Sequence, residues 1–400
     1  MPSVIFYFQV HQPFRLRRYS YFAIGREHDY FDDAKNGAIF RKVAEKCYLP
    51  ANEIILDLVK EHGGAFKVAY SITGVAVDQM KEYAPEVLWS FQRLAETGAV
   101  EFLGETYYHS LACVRDLDEF ERQVELHAAL MEELFGARPR VFRNTELIYD
   151  DSIGRKVREM GFAGALAEGA DDVLGWRSPN FLYRAPGSDL VLFLKNYRLS
   201  DDIAFRFSNR GWEDFPLVAE KFAGWVHETD GNGQVVNLFM DYETFGEHQW
   251  ESTGIFEFLR HMPGRILSKA GWDFRTPSEA IVAYPPAAEL SFPRTVSWAD
   301  MERDLTAWTG NRMQEDAIRH VYGLKEEVMS RNNPATTDLW RRLQTSDHFY
   351  YAATKWFADG DVHTYFNPYD SPYDAYINYM NVLTDFRAHV LGLSAGASKS

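Results

Sequence analysis

Ser3-Val4-Ile5-Phe6-Tyr7-Phe8-Gln9-Val10, followed at once by His11-Gln12-Pro13, sets the architecture. The run is uncharged and rich in β-branched and aromatic side chains, and it predicts a β-strand. Polar residues begin where the strand ends. In parallel α/β folds that end carries the chemistry, so His11 is a candidate site residue.

Six more short, largely apolar runs occur, at 66–71, 99–104, 140–144, 163–167, 190–195 and 235–241. Helical patterns lie between them at 50–62, 116–135, 151–160 and 215–228, the first with Pro50 near its start and Gly63 at its stop. The alternation predicts βα units around a parallel sheet, an α/β fold over residues 1–290. Residues 171–214, rich in Arg, Asn, Pro and Gly, read as a loop-rich insertion. From about residue 297 helix formers run through 313–331, 335–358 and 372–392, which predicts a C-terminal helical domain over 297–392. The small, polar tail 393–400 is expected to be disordered.

The chain has 400 residues, 46% hydrophobic and 15% aromatic, enough to bury a large core and to exclude disordered, collagen-like and disulfide-stapled classes. Its 42 basic and 58 acidic residues give a net charge of −16. That field repels phosphates and anionic lipid, so no nucleic-acid or membrane partner is expected. There is no apolar run of membrane-spanning length and no basic lead of a signal peptide, and a cytoplasmic protein is expected. Cys47 and Cys113, outside any CxxC or zinc-ribbon spacing, read as buried and reduced.

Unusual polar residues follow several predicted strands. His11 follows the first; Glu105, with His109 four residues on, follows 99–104; Glu146 follows 140–144; Asp241 closes 235–241, with Glu243 two residues on. In a parallel barrel these converge on one face. A lone strand-end acid is as often a helix N-cap, the role expected of Asp150 or Asp151. Four strand ends bearing His, Glu, Glu and Asp together point to an active-site cleft.

Glu146 and Asp241 make the best pair for glycoside hydrolysis, in which one carboxyl protonates the leaving oxygen and the other attacks the anomeric carbon or activates water. At the ends of hydrophobic runs each would be partly desolvated, which raises a carboxyl pKa toward the general-acid range. The residues alone leave open which is the acid. Tyr107, Tyr108, Tyr149, Tyr242, Trp212, Trp250, Trp298 and Trp308 offer flat faces for sugar rings, although most must be core. A zinc site built from His11, His109, His248 and Asp241 is the competing reading, and no HxxxH-type spacing supports it. GxGxxG, GxxxxGK(S/T) and GxSxG patterns are absent. Neither metal nor cofactor is expected.

Taken together, His11-Gln12-Pro13, Gly104-Glu105-Thr106-Tyr107-Tyr108-His109, Phe142-Arg143-Asn144-Thr145-Glu146-Leu147-Ile148-Tyr149 and Phe239-Met240-Asp241-Tyr242-Glu243-Thr244-Phe245-Gly246-Glu247-His248 resemble four of the five signature regions of glycoside hydrolase family 57. Ser297-Trp298-Ala299-Asp300 through Ala307-Trp308-Thr309-Gly310-Asn311 resembles the fifth. Order and spacing agree from residue 1 to about 390, and the similarity is to the short α-amylase type. The resemblance implies an incomplete (β/α)7 TIM-like barrel followed by a helical bundle, and a retaining mechanism on α-1,4-glucans without a metal. It places Glu146 as nucleophile and Asp241 as general acid/base, with His11, Glu105 and Trp308 lining the sugar subsites. His109, Glu243, His248, Trp298 and Asp304, in or beside the same regions, are expected to bind substrate with them.

Three activities are compatible with these residues: an α-glucan hydrolase, which leads; a 4-α-glucanotransferase using the same covalent intermediate; and a glucan-binding protein without turnover. The C-terminal stretch from Asp347-His348-Phe349-Tyr350-Tyr351 through Lys355-Trp356-Phe357 and Tyr365-Phe366 to Tyr379 is dense in aromatics. It is expected to dock on the barrel, with His348 or Tyr351 at the cleft.

Overall fold

The protein is represented by a computed structural model that describes residues 2–355 and 367–392. Among the described residues the strands are β1 (Ser3–Val10), β2 (Val68–Ile72), β3 (Val100–Phe102), β4 (Val141–Arg143), β5 (Gly164–Glu168), β6 (Tyr183–Arg184), β7 (Val191–Lys195), β8 (Val235–Asp241), β9 (Asp273–Phe274) and β10 (Ala288–Glu289). All eight residues of β1 are buried. Val4, Phe6, Phe8 and Val10 pack into the helix-covered core, while Ile5 and Tyr7 belong to an inner core with Leu103, Val141, Leu166, Phe193 and Phe239. Apolar side chains on both faces are what a parallel sheet covered on both sides requires.

β2 and β8 flank β1 in parallel, and β3 continues from β2. β4, β5 and β7 form a second parallel run, with β6 antiparallel on β7. The two runs meet at Gly104, whose N–H donates to the Val141 carbonyl at 2.9 Å and whose carbonyl accepts from the Arg143 N–H at 2.8 Å. Only glycine fits there: a Cβ would stand 2.6 Å from the Phe162 ring. At the other edge the Asn196 N–H donates to the Asn237 carbonyl, and Asn237 Nδ2 to the Leu194 carbonyl at 2.8 Å. The parallel strands therefore follow the path β8-β1-β2-β3-β4-β5-β7 and return toward β8, with their C-terminal ends on one side.

Side-chain caps set where the connecting helices begin. Asp32, Thr73, Asp116 and Asp150 accept from first-turn N–H groups of Asp33–Val43, Gly74–Tyr83, Leu117–Phe135 and Asp151–Glu159, and Thr276 with Glu279 forms a capping box for Pro277–Ala283. Segment 171–214 holds more regular structure than its composition suggests: helix Asp171–Leu174, β6, β7 and helix Tyr197–Asp201.

The C-terminal helices are shorter than the sequence pattern predicts. The run 313–331 is two helices, Arg312–Tyr322 and Lys325–Ser330, parted at Gly323, where a Cβ would stand 2.9 Å from the Arg319 carbonyl. The run from 335 yields Pro334–Arg342 and Asp347–Tyr350, followed by Pro372–Asp385. These helices share one apolar core with the strand region: Trp308, Ile318, Trp340, Phe349 and Tyr379 cluster with Phe120, Phe142, Tyr149 and Leu192. Trp356, Phe357, Tyr365, Phe366 and the tail 393–400 lie outside the described residues. Cys47 and Cys113 are free and buried, and no helix among the described residues is long and apolar enough to cross a membrane.

Candidate active site

On the side where the parallel strands end, a cleft gathers His11, His109, Glu146, Asp241, Glu243, His248 and Trp298, seven of the residues marked from the sequence. Gln9, Gln12, Arg15, Arg143, Asp347 and Tyr351 complete its walls.

Glu146 sits on a tight turn after β4 with φ 55°, and Leu147 follows at φ 51°. Left-handed backbone at two non-glycine residues costs on the order of 1–3 kcal/mol each, and it persists only where the surroundings over-determine it. Asn144 does so by bridging the turn: its Oδ1 accepts from the Thr145 N–H and its Nδ2 donates to the Ile148 carbonyl at 2.8 Å. The turn delivers the Glu146 carboxylate between two donors. His109 Nε2 reaches Oε1 at 3.0 Å, and Trp298 Nε1 donates to Oε2 at 2.7 Å.

His109 is buried between carboxylates, with Nδ1 3.5 Å from Glu105 Oε2. Burial works against its charge, but Glu105 and Glu146 outweigh it and raise the pKa to about 9. The ring is an imidazolium at neutral pH, with both nitrogens donors. Glu105 lies one layer below the cleft, where Gln9 Nε2 donates to both its oxygens at 3.3 and 3.4 Å. Its backbone N–H donates to His127 Nδ1, and His127 Nε2 is 2.8 Å from the Ile72 carbonyl. Burial opposes the Glu105 charge, yet His109, His127 and Arg143 hold its pKa below the ordinary value.

His11 stacks on His109 with ring centroids 4.0 Å apart. Burial and the neighbouring His109 charge lower its pKa to about 4 despite Asp347, so this ring is neutral. With Thr73 Oγ1 3.0 Å from Nδ1 and Asp347 Oδ2 3.0 Å from Nε2, the consistent assignment has Nε2–H donating to Asp347 and the Thr73 hydroxyl donating to Nδ1.

Asp241 ends β8 in register with Gln9 of β1. Glu243, two residues on, is buried and accepts from the Tyr48 hydroxyl and from Gln12 Nε2. Burial, reinforced by the Asp241 charge, pushes its pKa to about 8. The cleft thus holds Asp241 and Glu243 as neighbouring carboxyls with one proton between them near neutral pH, together with a Glu146 carboxylate gripped by an imidazolium and an indole.

Three expected residues lie elsewhere. Glu105 supports His109 and is not in the wall. Trp308 is fully buried among the C-terminal helices, 6.4 Å from Tyr350 ring to ring, and is not in the wall of the cleft. Asp304 accepts from the Thr306 N–H and hydroxyl, a local cap away from the cleft. His348 faces Tyr379, whereas Tyr351 borders the cleft and Asp347 holds His11. Gln9 escaped the sequence analysis, although its period of two from Tyr7 aims it inward. Arg143, the last residue of β4, is buried with its guanidinium 4.7 Å over the Trp298 ring. Asp347 carried no sequence signal.

Among the described residues no group of three or more His, Cys, Asp or Glu is placed to hold a metal ion. Residues 5–293 match glycosyl hydrolase family 57. The chain is 43% identical over 408 residues to a protein of Methanocaldococcus jannaschii named "Putative alpha-amylase", spanning 98% of this chain and 85% of that one. Among solved structures it is similar to a GH57 branching enzyme from Thermococcus kodakaraensis, with TM-score 0.67 and 15% identity over 98% of this chain and 90% of that one. It is also similar to a 4-α-glucanotransferase from Thermococcus litoralis, with TM-score 0.64 and 17% identity over 87% of this chain, which spans 56% of that enzyme's length. The match over residues 5–293 and the 43% identical relative show that the chain belongs to glycosyl hydrolase family 57.

Proposed function

We propose that the protein is a retaining hydrolase of α-1,4-glucosidic bonds in glucans or maltodextrins, with Glu146 as nucleophile and Asp241 as general acid/base. The observation that carries the proposal is the Glu146 carboxylate, turned into the cleft on strained backbone with a donor on each oxygen. Two donors favour the ionised form and fix the carboxylate plane, as attack on an anomeric carbon requires. Asp241 protonates the departing glycosidic oxygen while a Glu146 oxygen bonds to the anomeric carbon. Water then enters, gives its proton to Asp241 and releases Glu146. His109 and Trp298 hold the nucleophile, and His11, Glu243 and His248 line the sugar site. The strand path is read as an incomplete (β/α)7 barrel over 1–290, with the helices of 297–392 closing one side of the cleft; Asp347 and Tyr351 support that placement.

Maltoheptaose tests the proposal. Shorter sugars alone are the expected products. Products longer than the starting sugar would make the protein a glucanotransferase, and unchanged sugar would make it a binding protein.

A further inference from the structure

Behind Trp298, away from the glucan cleft, four charged side chains are packed together. Glu168 and Lys195 are the last residues of β5 and β7, Asp201 ends the helix Tyr197–Asp201, and Arg303 belongs to the loop that carries Trp298. Their side chains are 0%, 5%, 10% and 13% exposed. Lys195 Nζ lies 2.9 Å from Asp201 Oδ1 and 4.0 Å from Glu168 Oε2; Arg303 Nη1 is 3.9 Å from Glu168 Oε2 and Nη2 is 3.7 Å from Asp201 Oδ2. Two acids and two bases alternate, and the buried set is neutral when Glu168 is ionised. Paired in this way the charges hold one another, and losing one member leaves an uncompensated charge.

The quartet reaches the cleft through Trp298. Arg303 Nη1 donates to the Trp298 carbonyl at 2.7 Å, and Lys195 Nζ stands 5.4 Å from the Trp298 ring centroid. Asp300 and Arg303 both have positive φ, 54° and 51°, so the loop adopts this course only under restraint. Lys355 supplies some of it, 2.7 Å from Asp300 Oδ2. Trp298 then holds Glu146 through the indole N–H.

We infer that Glu168, Lys195, Asp201 and Arg303 are positioning residues, which fix the Trp298 loop and through its indole the orientation of the Glu146 carboxylate. Burial raises the Glu168 pKa to about 7 against the pull of Lys195 and Arg303, which stand 4.0 and 3.9 Å from its Oε2, so Glu168 is the most loosely held of the four. The inference rests on Glu146 being the nucleophile.

The test is a double-mutant cycle in kcat on maltoheptaose with Trp298→Phe, which keeps the ring but loses the donor, and Arg303→Met, which frees the loop carbonyl. Each single variant is expected to lower kcat roughly 10- to 100-fold, with KM within about 2-fold. The double variant should be no slower than Trp298→Phe alone, because both changes break one linkage. Arg303→Lys, which keeps the charge and one donor, should recover part of the loss. Losses that multiply, an unchanged kcat in Arg303→Met, or a loss confined to KM would overturn the inference. Should Arg303→Met fail to fold, Glu168→Gln takes its place in the cycle with the same expectations. Glu146→Gln is measured alongside: if it stays active the assignment of the nucleophile fails, whereas an inactive Glu146→Gln with independent losses in the cycle removes the quartet alone.

Discussion

Trp298 holds Glu146 twice: its indole N–H donates to Oε2 at 2.7 Å and its peptide N–H to the Glu146 carbonyl at 3.1 Å. The two residues are 152 positions apart, and the second contact fastens the strained turn on which the carboxylate is mounted. Orientation of the acid and stability of its backbone therefore depend on the same loop.

Glu146→Gln is expected to abolish turnover while the fold survives, since an amide of the same shape cannot form the glycosyl ester. Asp241→Asn should be similarly severe on glucans. With an activated aryl α-glycoside, whose leaving group needs little protonation, azide should rescue Glu146→Ala and give the β-glycosyl azide. Full activity in both carboxyl variants would remove the pair from the mechanism.

His109→Gln keeps a donor for Glu146 but not the positive charge. The loss in kcat is expected to be on the order of 100- to 1,000-fold, the scale seen when a donor to developing or fixed charge is lost from a dry site. Steady-state kinetics with a melting curve on the same sample checks this. A rate within 3-fold of the parent would mean that the imidazolium is structural only.

How much of this was legible depended on the length of each signal. β1 and β8 are long apolar runs and were plain, whereas β6, β9 and β10 have two residues each and show no period at all. The helix Gly74–Tyr83 carries a sequence signal in its Thr73 cap, although its apolar pattern is weak. Strand-end polarity located Glu146 and Asp241, and the same rule would have located Glu168 and Lys195, which end β5 and β7 without a motif around them. Trp308 is buried among the C-terminal helices, and a tryptophan in sequence looks the same whether it faces sugar or core. Asp347 was invisible, since its role exists only through a contact 336 positions away in the chain.

Stability should fall as pH rises from 6.5 to 8. Glu243 and Glu168 titrate near 8 and near 7 in the native state, above the ordinary 4.5, and His109 near 9, above 6.5. Each keeps in the folded protein a proton that the unfolded chain releases, so each contributes stability that is complete below its unfolded pKa and is lost as pH rises through the native one. His11 and His348, lowered to about 4 by burial, and His127, lowered for the same reason, act in the opposite sense, an effect that fades about one pH unit above 6.5 and does not outweigh the other three groups. The slope is expected to be on the order of 1 kcal/mol per pH unit for each group in mid-titration. Denaturant midpoints across the window should show it, flattened in Glu243→Gln; a rising stability would contradict these assignments.

Prolonged EDTA or phenanthroline should leave activity unchanged. Both nitrogens of His11 are engaged by Thr73 and Asp347, and those of His109 face Glu146 and Glu105, so neither ring offers a lone pair to a metal. Stoichiometric zinc with activity lost on chelation and regained on adding metal would recast His11 and Asp241 as ligands.

Stereochemistry ties the geometry to the mechanism most directly. A nucleophilic Glu146 requires its carboxyl to lie about 5–5.5 Å from that of Asp241, because no water enters between acid and sugar on the attacked face; an inverting pair stands about 6.5–9.5 Å apart. Asp241 ends a strand paired with β1, Glu146 follows β4, and both line the same cleft. Two displacements at the anomeric carbon restore the starting configuration. Proton NMR on an α-glucan, read before mutarotation, should therefore show the α anomer first. A first-formed β anomer would demand the wider spacing, with a water held between Glu146 and the sugar, and would exclude the covalent intermediate.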